Sequence, residues 1–111
     1  MLFDKEQLLD DIGGDDELVQ KIFDSAAAEI PKEVEKLIVC CAGSDTEPIR
    51  LQAHGLKGIA ADLYASDLRE ICAKMEAAAK EGDLERAVAL LPELEQVARM
   101  TVEALNCSKS K

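Results

Sequence analysis

Residues 18–41, LVQKIFDSAAAEIPKEVEKLIVCC, carry Leu18, Ile22, Ala26, Ile30, Val34, Leu37, Ile38 and Cys41, which recur at three- and four-residue spacing. That period lays one apolar stripe along a helix and leaves the intervening charges to water. Just upstream, Gly13-Gly14 ends a preceding stretch, and Asp15 or Asp16 can cap the new helix with a charge suited to its N-terminus. Pro31 interrupts the stripe. Its ring removes a backbone donor and crowds the preceding turn, so a kink, or a division at Ile30, is expected there.

Working outward, Phe3–Ile12 reads as a short amphipathic helix. Downstream, Gly43-Ser44-Asp45-Thr46 ends the long segment and opens a third that reaches about Leu63, with Pro48 tolerable in its first turn. A turn is expected within Asp62–Asp67, which has cap formers but neither Gly nor Pro. The fourth segment carries Leu68, Ile71, Cys72 and Met75 on one face and stops at Gly82. Asp83 then caps a fifth, which buries Leu84, Val88, Leu91, Leu94, Ala98, Val102 and Leu105 and is expected to kink at Pro92. Short turns, no strand pattern and no repeat predict an all-α fold. Its expected form is an antiparallel four-helix bundle with a short additional N-terminal helix. Residues 1–106 form the expected bundle, and 107–111 a frayed tail.

Composition agrees. At 111 residues the chain is the size of one domain, with 48% hydrophobic and 32% charged residues. Ala, Leu and Glu dominate, against two Phe, one Tyr and no Trp, a bias toward helix formers. The net charge of −10 repels phosphate backbones and anionic lipid, so neither a nucleic acid nor a membrane is an expected partner. No apolar run is long enough to span a bilayer and no signal-like N-terminus is present, which makes a cytoplasmic protein the expectation. Cys40, Cys41, Cys72 and Cys107 show no C-x-x-C pair, and the adjacent two point about 100° apart on a helix. Reduced, mostly buried thiols and no metal site are expected. Charged faces such as Glu29/Lys32/Glu33/Glu35/Lys36 read as solvated exterior.

The residue with chemistry is His54, the single histidine. Taking it as zero on a helical wheel, Ile49, Ala53, Leu56, Ala60 and Leu63 fall between about 180° and 260°, so His54 faces away from the core. Arg50 lies one turn before it, Lys57 and Gly58 one turn after, then Ala61 and Ala65. Neutral imidazole is nucleophilic near neutral pH, and two cations beside it suit a phosphoryl group held on the ring. Gly58 costs helix stability, roughly 1 kcal/mol against alanine, and leaves the surface beside the ring clear. Gly55 incurs the same cost about 100° away, with no matching account.

Ala53-His54-Gly55-Leu56-Lys57-Gly58 resembles the A-H-x-L-K-G signature of histidine-containing phosphotransfer (HPt) domains. The resemblance continues through Ala60 and Ala61 and through Leu68, Cys72 and Glu76 in an L-x-x-x-C-x-x-x-E register. Upstream it takes in Phe3-Asp4, Leu8-Leu9, Gly13-Gly14-Asp15 and Glu29-Ile30-Pro31, so that it covers roughly 3–91. It implies a four-helix bundle whose exposed histidine is phosphorylated on a ring nitrogen, here His54, with Lys57 assisting the phosphoryl group and Gly58 giving clearance. One departure stands out: many members have Gly ten residues after the histidine, where this chain has Tyr64.

The resemblance further implies a monomeric carrier that relays a phosphoryl group between receiver-domain aspartates. Response-regulator receivers and hybrid sensor histidine kinases are then the expected partners. No Walker or kinase glycine loop is present, so the chain is expected not to be an ATP-dependent kinase. No cofactor is expected, with Mg²⁺ only in the partner's receiver. Arg50, Leu51, Ala61, Tyr64 and Ala65 are the candidate docking residues. The rivals are a noncatalytic helical adaptor, the phosphorylatable domain of a chemotaxis-type kinase, and a sensor-kinase dimerisation domain. The last lacks here its usual acidic residue after the histidine and its nearby proline.

Overall fold

The computed structural model describes residues 2–107 and contains, among these, six helices and no strand. They are α1 (Lys5–Asp11), α2 (Asp16–Cys41), α3 (Thr46–Asp62), α4 (Ser66–Lys80), α5 (Leu84–Ala89) and α6 (Leu91–Cys107). Aspartates open four of them. The side chains of Asp4, Asp15, Asp45 and Asp83 accept from the amides of Gln7, Leu18, Glu47 and Arg86 at 3.0–3.1 Å. Each satisfies a donor that has no partner within its helix. Gly13, Gly14 and Gly82 take positive φ after α1 and α4, where a side chain would be strained.

The helices α2, α3, α4 and α6 form an antiparallel four-helix bundle, with α3 and α4 in the most extensive contact and α2 and α6 closing the ring. Phe23, Ile30, Leu37, Ile49, Leu56, Leu68, Met75, Leu94 and Leu105 fill its core. The short α1 lies outside this ring against α2, with Phe3 meeting the Phe23 ring edge-on at a centroid distance of 5.0 Å. The Asp4 amide donates to Leu63 O at 3.3 Å, which ties the N-terminal segment to the turn after α3. No helix among the described residues is long and apolar enough to cross a membrane.

Several expectations change in detail. Pro31 sits inside α2 without dividing it. Ile30 and Leu37, on either side of the proline, are both fully buried, so packing holds the helix through the interruption. The buried stripe of α2 runs Val19, Phe23, Ala26, Ile30, Leu37, Cys41, whereas Leu18 and Ile38 lie at its edge and are exposed. At Pro92 the chain breaks instead of kinking. Leu90 caps α5 and Pro92 falls in the first turn of α6, where its missing N–H has no intrahelical partner to lose. Cys41 and Cys72 are buried, Cys40 partly so, and Cys107 is the exposed last residue of α6. Residues 108–111 of the expected tail lie outside the described residues.

Candidate functional site

The middle of α3 places Ile49, Ala53, Leu56 and Ala60 in the core, all without solvent exposure. His54 is thereby turned outward, with 65% of its side chain exposed. It is not a loose surface residue. Its Nδ1 lies 2.9 Å from Glu76 Oε2, and Lys57 Nζ lies 2.6 Å from Oε1 of the same carboxylate. Glu76 comes from α4, whose Leu68, Cys72 and Met75 are buried in the core. The carboxylate is only 17% exposed and links the imidazole and the ammonium of α3 through its two oxygens.

The bond from Lys57, more than the one from His54, holds the Glu76 carboxyl below its usual range, against a smaller opposing effect of burial. An ionised Glu76 can only accept hydrogen bonds, so Nδ1 must donate. In the neutral ring the lone pair then resides on Nε2, the nitrogen left to solvent. Fixing one ring nitrogen through a carboxylate is how proteins choose the tautomer and the reactive edge of an imidazole.

The candidate residues separate. Lys57 and Glu76 converge on His54, while Arg50 turns back along α3 to pair with Glu47 through two contacts of 2.5 and 3.0 Å. A methyl added to Gly58 or to Gly55 meets no other part of the chain within 4 Å, so internal packing requires neither glycine. Leu51 and Ala61 are exposed on the His54 side of α3. Ala65 is not part of that surface, because it is fully buried. The wheel fails there because α3 ends at Asp62. Tyr64 takes a left-handed φ of 56°, and Ala65 folds inward as its amide donates to Ala60 O at 2.9 Å. The Tyr64 hydroxyl donates to Asp11 at the end of α1, and the residue remains 37% exposed.

Glu76 belongs to this cluster although sequence reasoning gave it no role. One signal existed: it stands one turn beyond Cys72 on the stripe that α4 presents to the core, an unusual place for an isolated acid. Beneath it, burial pushes the Cys72 thiol up to about 12, with the Glu76 charge adding to the effect, so this sulfur stays protonated.

A family model for the Hpt domain matches residues 17–105. The phosphorelay intermediate protein rdeA of Dictyostelium discoideum is 27% identical over 94 residues, covering 85% of this chain. The chain spans 37% of that relative's length. Among solved structures, histidine-containing phosphotransfer protein B of Pseudomonas aeruginosa PAO1 superposes with a TM-score of 0.88 at 20% identity, covering 97% of this chain and 94% of the other. At that identity the likeness is one of fold.

Proposed function

Because the chain belongs to the Hpt domain family, we propose that it is a phosphoryl carrier of a two-component phosphorelay in which His54 is the carrier residue. One observation supports the assignment above the others: His54 is exposed while its Nδ1 is anchored on a carboxylate from a second helix. The Nε2 lone pair attacks the phosphorus of an aspartyl phosphate on a receiver domain. An Nε2–P bond forms, the aspartyl O–P bond breaks, and the partner's carboxylate leaves with the bonding electrons. The proton stays on Nδ1, where Glu76 balances the charge that develops on the ring. In the return step a second receiver's carboxylate attacks phosphorus and expels neutral imidazole. Such a transfer depends on position and charge more than on covalent chemistry by the protein.

Lys57 is shared between Glu76 and the incoming group: its ammonium is already held beside His54 and can turn to the phosphoryl oxygens. Gly58 leaves room for the partner's active site. The same reading makes the chain a cytoplasmic carrier without kinase activity of its own, with Mg²⁺ supplied by the receiver. Its partners are receiver domains, free or within hybrid kinases.

Incubation with a phosphorylated receiver should give one acid-labile phosphate by mass and an Nε2-phosphohistidine signal by phosphorus NMR. His54→Gln should abolish both. Unchanged labelling of that variant, or phosphate on Nδ1, would overturn the assignment.

A further inference from the structure

Tyr64 is a bulky residue in a left-handed backbone conformation that such side chains rarely adopt. Glycine would take this position without strain, and the HPt resemblance has glycine there in many members. The tyrosine is held in place: its hydroxyl donates to Asp11 on α1, and the adjoining Leu63 carbonyl accepts from the Asp4 amide. Two links from the N-terminal segment thus fix one turn. The residue is nevertheless left 37% exposed.

Its location gives that exposure a meaning. Tyr64 borders a shallow groove of about 410 Å³ together with Asp4, Ala61, Ser66 and Arg69. Ala61 lies seven residues beyond His54, about 10 Å along the same face of α3. A protein interface of ordinary size covers about 800 Å² per partner, a disc of roughly 16 Å radius. A domain of that footprint centred on His54 therefore reaches the groove that Ala61 and Tyr64 border. On the other side of His54, one turn back, Leu51 is 57% exposed. The reactive ring stands between two exposed apolar side chains.

We propose that Tyr64 is a specificity-determining residue for the partner: it selects receiver domains that place an aliphatic side chain against its ring in the groove beside Ala61, and disfavours those that place a charge there. The proposal rests on the phosphotransfer reading and adds to it the chemistry of partner choice. Selectivity is a difference between affinities, so loss of the ring weakens good partners and relieves poor ones. The Asp11 link keeps the ring from rotating away, which limits the entropy lost on docking.

The test uses the full chain and a panel of isolated receiver domains charged with acetyl phosphate and then desalted. Initial rates of His54 labelling are measured against receiver concentration. Tyr64→Asn removes the ring but tolerates left-handed backbone, so the bundle is retained, and Tyr64→Phe keeps the ring without the hydroxyl. The wild-type chain should show at least a tenfold spread of KM across the panel. In Tyr64→Asn the spread should narrow to about threefold with kcat for each receiver within twofold, while Tyr64→Phe should keep most of it. A wild-type panel without a spread, an unchanged spread in Tyr64→Asn, or a loss confined to kcat overturns the proposal alone. Failure of every receiver to label His54 in the wild-type chain overturns the phosphotransfer reading and the proposal with it.

Discussion

Glu76 joins an imidazole and an ammonium that are three residues apart on another helix, so its removal should affect both. In Glu76→Ala the His54 ring loses its anchor, and nitrogen NMR should show the two neutral tautomers mixed where the parent chain holds the proton on Nδ1. Acid stability should change as well. A carboxyl held below its ordinary value of 4.5 stabilises the folded state above that pH, and the contribution is lost as pH falls through the lowered value. Glu76→Gln should therefore flatten stability below about pH 4.5 and leave its slope near pH 7 unchanged, measured by denaturant titration across pH. Lys57→Ala is expected to slow transfer about tenfold with little change in melting temperature. The Lys57 side chain is half-buried beside Glu76, and its ammonium contributes charge at the site more than packing in the core.

The glycines separate stability from docking. Alanine at Gly55 or Gly58 meets no neighbour, and either change should raise helix stability by about 0.5–1 kcal/mol. Only Gly58→Ala should also slow phosphoryl transfer, because only that methyl lies on the His54 face. Equal slowing by both variants would remove the distinction between them.

Among the elements, α3 was the most legible, because its apolar residues repeat without interruption and place His54 opposite the core. The long α2 was legible as an element but not in its buried edge: Val19 and Phe23, not Leu18, meet the other helices. Periodicity gives the direction of a stripe to within one neighbouring residue, and only packing fixes it. Proline was read as a disturbance at both positions, and the outcome differed with context. Pro31 has buried apolar residues on both sides and α2 continues through it, whereas Pro92 follows the six-residue α5 and the chain breaks instead. Tyr64 carries no sequence mark of a left-handed turn, so the wheel ran past the end of α3 and left Ala65 on the surface. That conformation costs roughly 1–2 kcal/mol in a residue with a side chain. Glu76 was only partly legible, for a different reason: wheels order residues within a helix and say nothing of which helix stands beside it.

At the scale of the whole molecule the bundle is a rod of 44 × 21 × 18 Å, with a long axis close to the roughly 39 Å length of a 26-residue helix such as α2. Protection should be uneven along it. Leu8 is the only buried residue in α1, so its amides should exchange with solvent well before those of α3 and α4. Hydrogen exchange followed by mass spectrometry would show this, and equal protection of α1 and α3 would contradict it. The net charge of −10 surrounds a site whose own cations are already paired with Glu76 and Glu47. Long-range attraction therefore contributes little to partner capture, and selectivity falls to contacts made at close range.

The carboxylate from α4 has one more consequence. A synthetic peptide copying Ala53–Gly58 would reproduce the signature letter for letter and still lack the group that orients the imidazole. It would be a poor phosphoryl acceptor even if stapled into a helix, and a poor decoy for blocking the relay. An effective mimic needs two antiparallel helices, one bearing the ring and the other the acid.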